Sequence, residues 1–209
     1  KIKEACQLNG NIFNQPEGIA FDTAGNLYIS NEGDDLTQGN IPAKIRYVNS
    51  LFYAKEYDEV IKNVQEIFAV DKSRTYMNRI AGYSCYEKTP PDYNKALAHM
   101  ETLFKTVAPE RIIKKDYHYM ARILLKKNQN YPKMVDELNT LKSQLERERS
   151  KTAAAATAAE RTKIKVSVDN LSGKVANLEK DVAKADAEID RAFGEYAKVL
   201  EFNPQDKNL

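Results

Sequence analysis

At 209 residues and 42% hydrophobic content, the chain can bury one large core or two small ones, which excludes disorder throughout. Its 32 Lys and Arg stand against 30 Asp and Glu, a net charge of +2, so no global field argues for nucleic acid or an anionic membrane. Cys6 and Cys85 are too few for a disulfide framework or a cysteine-based metal site, and no run reaches the roughly 18 apolar residues of a spanning helix. The chain opens on Lys1 without a secretory signal, the pattern of a mature or trimmed form.

The first predicted elements are two strands within residues 1–40. In "PEGIAFDTAGNLYISNEGD", Ile19 and Phe21, then Leu27 and Ile29, keep the two-residue period of a strand with one buried face. "DTAGN" supplies a turn between them, with Gly25 free to take positive φ and Asp22 or Asn26 able to bond nearby backbone. A hairpin of this size needs further strands or a packing partner.

The stretch resembles one repeat of NHL-type β-propellers, in which "PEGIAFD" and "GNLYIS" recur once per blade. The resemblance implies a binding platform or, in some members, a metal-dependent hydrolase. It covers about 20 residues and occurs once, whereas a propeller closes with about four to eight blades. Two readings stay open: the stretch is a remnant of a larger propeller, or it caps the helical part.

From residue 41 to 133 the period changes to that of helices. Ile45, Val48, Leu51 and Phe52 form one stripe, and Val60, Ile61, Val64, Ile67 and Phe68 another, with "KEYD" turning between them. "RTYMNRIAGYSCYEK" and "YNKALAHMETLFKTVAP" make a second pair around the break "TPPD", and "KKDYHYMARILLKKNQN" opens a third that turns at "NYP". Tyr57, Tyr93 and Tyr131, at the starts of the second helices, stand 36 and 38 residues apart. That period is close to the ~34 residues of the tetratricopeptide repeat.

The chain resembles that family in particular residues. Tyr93, Ala96 and Met100 carry its aromatic, small and bulky positions, Gly82 suits a close helix contact, and Ala192, Tyr196, Val199 and Pro204 have the spacing of a repeat ending. The resemblance implies a right-handed superhelix of helical pairs whose concave face, lined by first helices, holds a protein or peptide. Co-occurrence with a propeller-like stretch also resembles repeat proteins of bacterial envelopes, which implies the periplasm or the periplasmic face of the outer membrane.

Residues 134–209 depart from the repeat. Leu171, Val175, Leu178, Val182, Ala185, Ile189, Ala192, Tyr196 and Val199 alternate steps of 4 and 3, a heptad seam, and Met134, Leu138, Leu141 and Leu145 form a shorter one. The two stripes can close on each other as a projecting helical hairpin, or pair between molecules. The alanine run "TAAAATAAE" favours helix by propensity, whereas "KIKVSVDN" alternates as a strand would. The fold expected is therefore mainly α: a degenerate tetratricopeptide-like array with a short β segment before it and a coiled-coil-like extension after it.

Chemistry is sparse in the sequence. Two histidines, His99 and His118, sit outside any zinc motif, and Glu17, Asp22, Glu32, Asp34 and Asp35 lack the twelve-residue calcium loop. Cys85 has no base beside it in sequence, and no serine or threonine lies in a nucleophile motif. No catalytic residue, cofactor or metal is assigned. The candidate residues belong instead to a protein-binding surface: Tyr47, Tyr53, Tyr83, Tyr86, Tyr117 and Tyr119 on first helices, with Arg111, Lys114, Lys115, Lys126 and Lys127 to receive an acidic peptide or carboxyl terminus. Acidic residues interrupt each long basic stripe, so no specific nucleic-acid signal arises. The function expected is a noncatalytic scaffold. The alternatives are an accessory region of a propeller-containing hydrolase or ligand-binding protein, and an oligomerisation spacer.

Overall fold

The computed structural model describes the backbone of residues 16–21 and 27–31, together with residues 41–202. Cys6, the turn at Gly25, the loop carboxylates Asp22, Glu32, Asp34 and Asp35, and Pro204 lie outside the described residues, as does the side chain of Glu17. The protein is mainly helical. It divides into two compact units, residues 1–47 and 48–209. In the first, β1 (Pro16–Phe21) pairs antiparallel with β2 (Leu27–Asn31), Ile19 opposite Ile29, with an irregular register between Pro16 and Gly18.

The described helices are α1 (Ile41–Tyr53), α2 (Tyr57–Val70), α3 (Asn78–Glu87), α4 (Tyr93–Thr106), α5 (Lys114–Lys127), α6 (Tyr131–Ala154) and α7 (Ala158–Phe202). Several breaks have a local cause. Between α1 and α2, Lys55 adopts φ 65°, and the amides of Glu56 and Lys55 donate to the carbonyls of Leu51 and Phe52. That is a Schellman closure with lysine where glycine is usual. Replacing Lys55→Gly removes the left-handed penalty of a side chain, and urea unfolding is expected to show a gain of about 0.5–1 kcal/mol. An unchanged midpoint would mean that the turn is not closed this way.

The break at "TPPD" ends in Asp92, whose carboxylate accepts the Lys95 amide at 3.0 Å and so caps α4. Within unit 2, neighbours in space follow the chain, α2 on α3, α3 on α4 and α4 on α5. Where α3 crosses α4, a Cβ on Gly82 would lie 2.9 Å from Met100 Sδ and 3.4 Å from the Ala96 carbonyl. Met100 is fully buried and has little room to retreat, so glycine sets this helix spacing. The core gathers Cys85 from α3, Ala96, Met100 and Leu103 from α4, Met120, Ile123 and Leu124 from α5, and Ala192 from α7.

The chain then leaves this order. α7 packs against both α6 and α5. At 45 residues it is ~67 Å long, close to the ~57 Å that the 14 residues of α5 and 24 of α6 span together. One unbroken helix therefore runs beside two consecutive ones. Its first half closes on α6 through Leu138, Leu145 and Val175, with Leu141, Val168, Leu171, Leu178 and Val182 around them, so both heptad stripes meet within one chain. Its last turns place Ala192 and Tyr196 in the main core, and unit 2 consequently continues across residue 133.

Two local expectations give way here. "KIKVSVDN" is helical within α7, because Val168 takes a seam position where a strand would have no partner. The alanine run is interrupted at Ala155–Thr157. Thr157 starts a new helix: its hydroxyl accepts the Glu160 amide at 3.2 Å, and Glu160 Oε2 accepts the Thr157 and Ala156 amides at 3.1 Å. This capping box outweighs the small per-residue propensity of alanine.

Candidate protein-binding face

The candidate face is built on α3 and α5. On α3, Arg79, Tyr83 and Tyr86 share a stripe by their i, i+4, i+7 spacing; on α5, Lys115, Tyr119, Arg122 and Lys126 do the same. The stripes meet at Tyr83 and Tyr119, whose rings stack at 3.8 Å between centroids and 19° between planes. Tyr86 lies edge-on to Tyr119 at 5.6 Å, and Phe52 from α1 lies 6.3 Å from Tyr83.

Two carboxylates anchor the stack. Asp116, fully buried, accepts from Arg79 Nε at 2.7 Å, Arg79 Nη2 at 2.8 Å, the Tyr83 hydroxyl at 2.7 Å and the Ile113 amide at 2.9 Å. The last of these caps the first turn of α5, so one side chain both starts that helix and ties it to α3. Arg79 Nη2 also donates to the Arg111 carbonyl at 2.7 Å. The Tyr119 hydroxyl donates to Glu87 at 2.7 Å. Burial, reinforced by the Asp116 charge and hydrogen bond, pushes the Tyr83 hydroxyl far above its ordinary range, and burial with Glu87 does the same to Tyr119.

Above the rings stand two cations. Lys115 Nζ lies 5.8, 5.3 and 5.7 Å from the centroids of Phe52, Tyr83 and Tyr119, and the Arg122 guanidinium 4.8 Å from Tyr86 and 5.9 Å from Tyr119. Neither meets a carboxylate among the described residues, although Arg122 is half-buried. Cation–π attraction holds them in place but leaves their N–H donors without a partner among the described residues.

The sequence candidates fall into separate groups. Tyr83, Tyr86 and Tyr119 are buried and form the floor of the face; they do not offer free rings, because internal carboxylates satisfy two of the three hydroxyls. Lys115 and Lys126 are exposed along that floor. Tyr53 is 77% exposed and Tyr47 42%. Tyr117 points elsewhere, half-buried between Phe104 and Phe202 and beneath Lys198. Arg111 lies over Tyr76 at 5.9 Å, Lys114 is half-buried, and Lys127 is held by Glu188. Arg79, Glu87, Asp116 and Arg122 were absent from the sequence candidates; the i, i+4, i+7 spacing of Lys115, Tyr119 and Arg122 is the signal that could have found the last.

The chain matches no protein-family model, no curated protein and no solved structure.

His99, His118 and Cys85 serve packing. His99 Nδ1 lies 2.8 Å from Asn78 Oδ1, which makes it the donor, and burial lowers its pKa. His118 rests against Tyr196, lowered by burial and then by Arg122 and Lys114. Cys85 is fully buried, and burial, with Asp92 adding to it, pushes its thiol up to about 11, far from a reactive thiolate at neutral pH. Among the described residues no group of three or more His, Cys, Asp or Glu is gathered to hold a metal, and no helix is long and apolar enough to cross a membrane.

Proposed function

We propose that this chain is a noncatalytic helical-repeat adaptor of tetratricopeptide type, whose face on α3 and α5 receives an acidic segment of a partner protein. The carrying observation is the pair Lys115 and Arg122, two turns apart on α5, seated over tyrosine rings with no carboxylate of their own among the described residues. A half-buried guanidinium without an anion has lost hydration that an incoming carboxylate restores, and charge-assisted hydrogen bonds are the stronger kind. The rigid floor favours this role too, since the cations are positioned before a partner arrives. The β segment belongs to the same reading as a propeller-like element in the same chain, with the bacterial envelope as the compartment in which such modules occur together.

Crosslinking capture from native extract, with mass spectrometry of the contacts, tests the proposal. The intact chain is expected to crosslink a reproducible partner near Lys115 and Lys126, and Lys115→Glu/Lys126→Glu to reduce that capture at least about tenfold. Equal capture by both forms would reject the α3–α5 face as the docking surface, and self-crosslinks around α7 alone would reject the adaptor reading in favour of a spacer.

A further inference from the structure

The hairpin of α6 and α7 ends in a concentration of positive charge that the rest of α7 does not share. From Glu146 to Lys165 six cations face three carboxylates, whereas from Glu179 to Glu201 four cations face seven. The three carboxylates at the tip are already committed. Glu146 pairs with Arg149 at 2.9 Å, Glu148 pairs with Lys151, and Glu160 accepts the amides that open α7. Arg147, Arg161, Lys163 and Lys165 meet no carboxylate among the described residues; the Arg161 guanidinium donates to the Ala155 carbonyl, at 3.2 Å.

Apolar groups interleave these cations. Val166 is 56% exposed, and Ile164 is half-buried beside an open depression of ≈ 380 Å³ lined by Lys151, Ala154, Ala155, Glu160 and Lys163. Ala154, Ala156, Ala158 and Ala159 are exposed across the turn. We infer that this tip docks end-on against an anionic phospholipid surface, its exposed alanines at the acyl boundary and its cations, further up both helices, among the headgroups. Charge complementarity together with exposed aliphatic groups selects that partner. Nucleic acid fits less well, because the tip offers no aromatic ring to stack on a base and no asparagine or glutamine to read one.

The test is co-sedimentation of the intact chain with vesicles of pure phosphatidylcholine and vesicles about one third phosphatidylglycerol. Binding is expected on the anionic vesicles only and to weaken at high salt. Each tip cation contributes about fivefold, so Lys163→Gln/Lys165→Gln should lower the partition coefficient roughly twenty-five-fold. Lys180→Gln/Lys184→Gln, an equal charge change at exposed mid-helix positions, should leave it within about twofold. Circular dichroism confirms that each variant is folded. Failure to bind anionic vesicles, equal losses in both double variants, or tighter binding to duplex DNA than to the vesicles would each overturn the inference.

Discussion

Asp116→Ala is expected to remove about 3–5 kcal/mol of folding stability, measured by urea unfolding followed with circular dichroism. The direct loss of four hydrogen bonds is the smaller part. Arg79, only 26% exposed, would keep its charge with no anion beside it, and the buried Tyr83 hydroxyl and the Ile113 amide at the N-cap of α5 would lose their acceptor. Asp116→Asn should recover little, since its amide would turn a donor toward groups that are themselves donors. Arg79→Met/Tyr83→Phe/Asp116→Leu should recover most of the loss, leaving chiefly the Ile113 amide unpaired at about 1–3 kcal/mol. If the triple variant were no more stable than Asp116→Ala, the network would not be the source of the effect.

The same geometry sets the behaviour at high pH. The pKa values of Tyr83 and Tyr119 are raised in the folded state, so their contribution is complete below the ordinary tyrosine range near pH 10 and is lost as pH rises beyond it. Urea midpoints should hold up to about pH 10 and then fall, by up to ~1.4 kcal/mol per pH unit for each tyrosine. A flat profile there would place both hydroxyls in water.

Periodicity and turn chemistry made the helices and the breaks before Tyr57, Tyr93 and Tyr131 legible, because each is a local property; the close contact at Gly82 was expected only from the family resemblance. What covers a helical stripe is not local. Lys115, Tyr119 and Arg122 announce one face of α5, but their spacing does not say that Tyr83 will stack on it, and so the tyrosines read as surface proved to be floor. Asp116 shows why most clearly. Its partners Arg79 and Tyr83 lie 37 and 33 residues away, and beside "KK" it reads as an ordinary solvated carboxylate. The break at Ala155 escaped for the opposite reason: a single capping box, Thr157 to Glu160, was hidden inside a run whose average propensity points to helix.

The continuity of α7 carries the second large effect. At Asp186 and Glu188 this helix passes the junction of α5 and α6: Tyr131 donates to Asp186 at 2.8 Å, while Lys127 at 2.6 Å and Asn128 at 2.8 Å donate to Glu188. Burial pushes the Glu188 carboxyl up, but the bonds from Asn128 and Lys127 outweigh it and hold the group below its usual range. Ala185, 4% exposed, sits at this level, where proline would remove a helical N–H and collide with the Asp181 carbonyl at a cost of about 3 kcal/mol or more. The seam of the hairpin is thin, with few fully buried side chains, so it depends on α7 transmitting the stability of the main core. Ala185→Pro is therefore expected both to lower the midpoint and to split urea unfolding into two steps, with limited proteolysis cutting first in α6. Ala158→Pro supplies the contrast. It falls at the first position after the Thr157 cap, where proline fits, so the same substitution chemistry should change stability by less than about 0.5 kcal/mol. A single unfolding step of unchanged denaturant slope in Ala185→Pro would show instead that α6 and α7 hold together without the core beneath them.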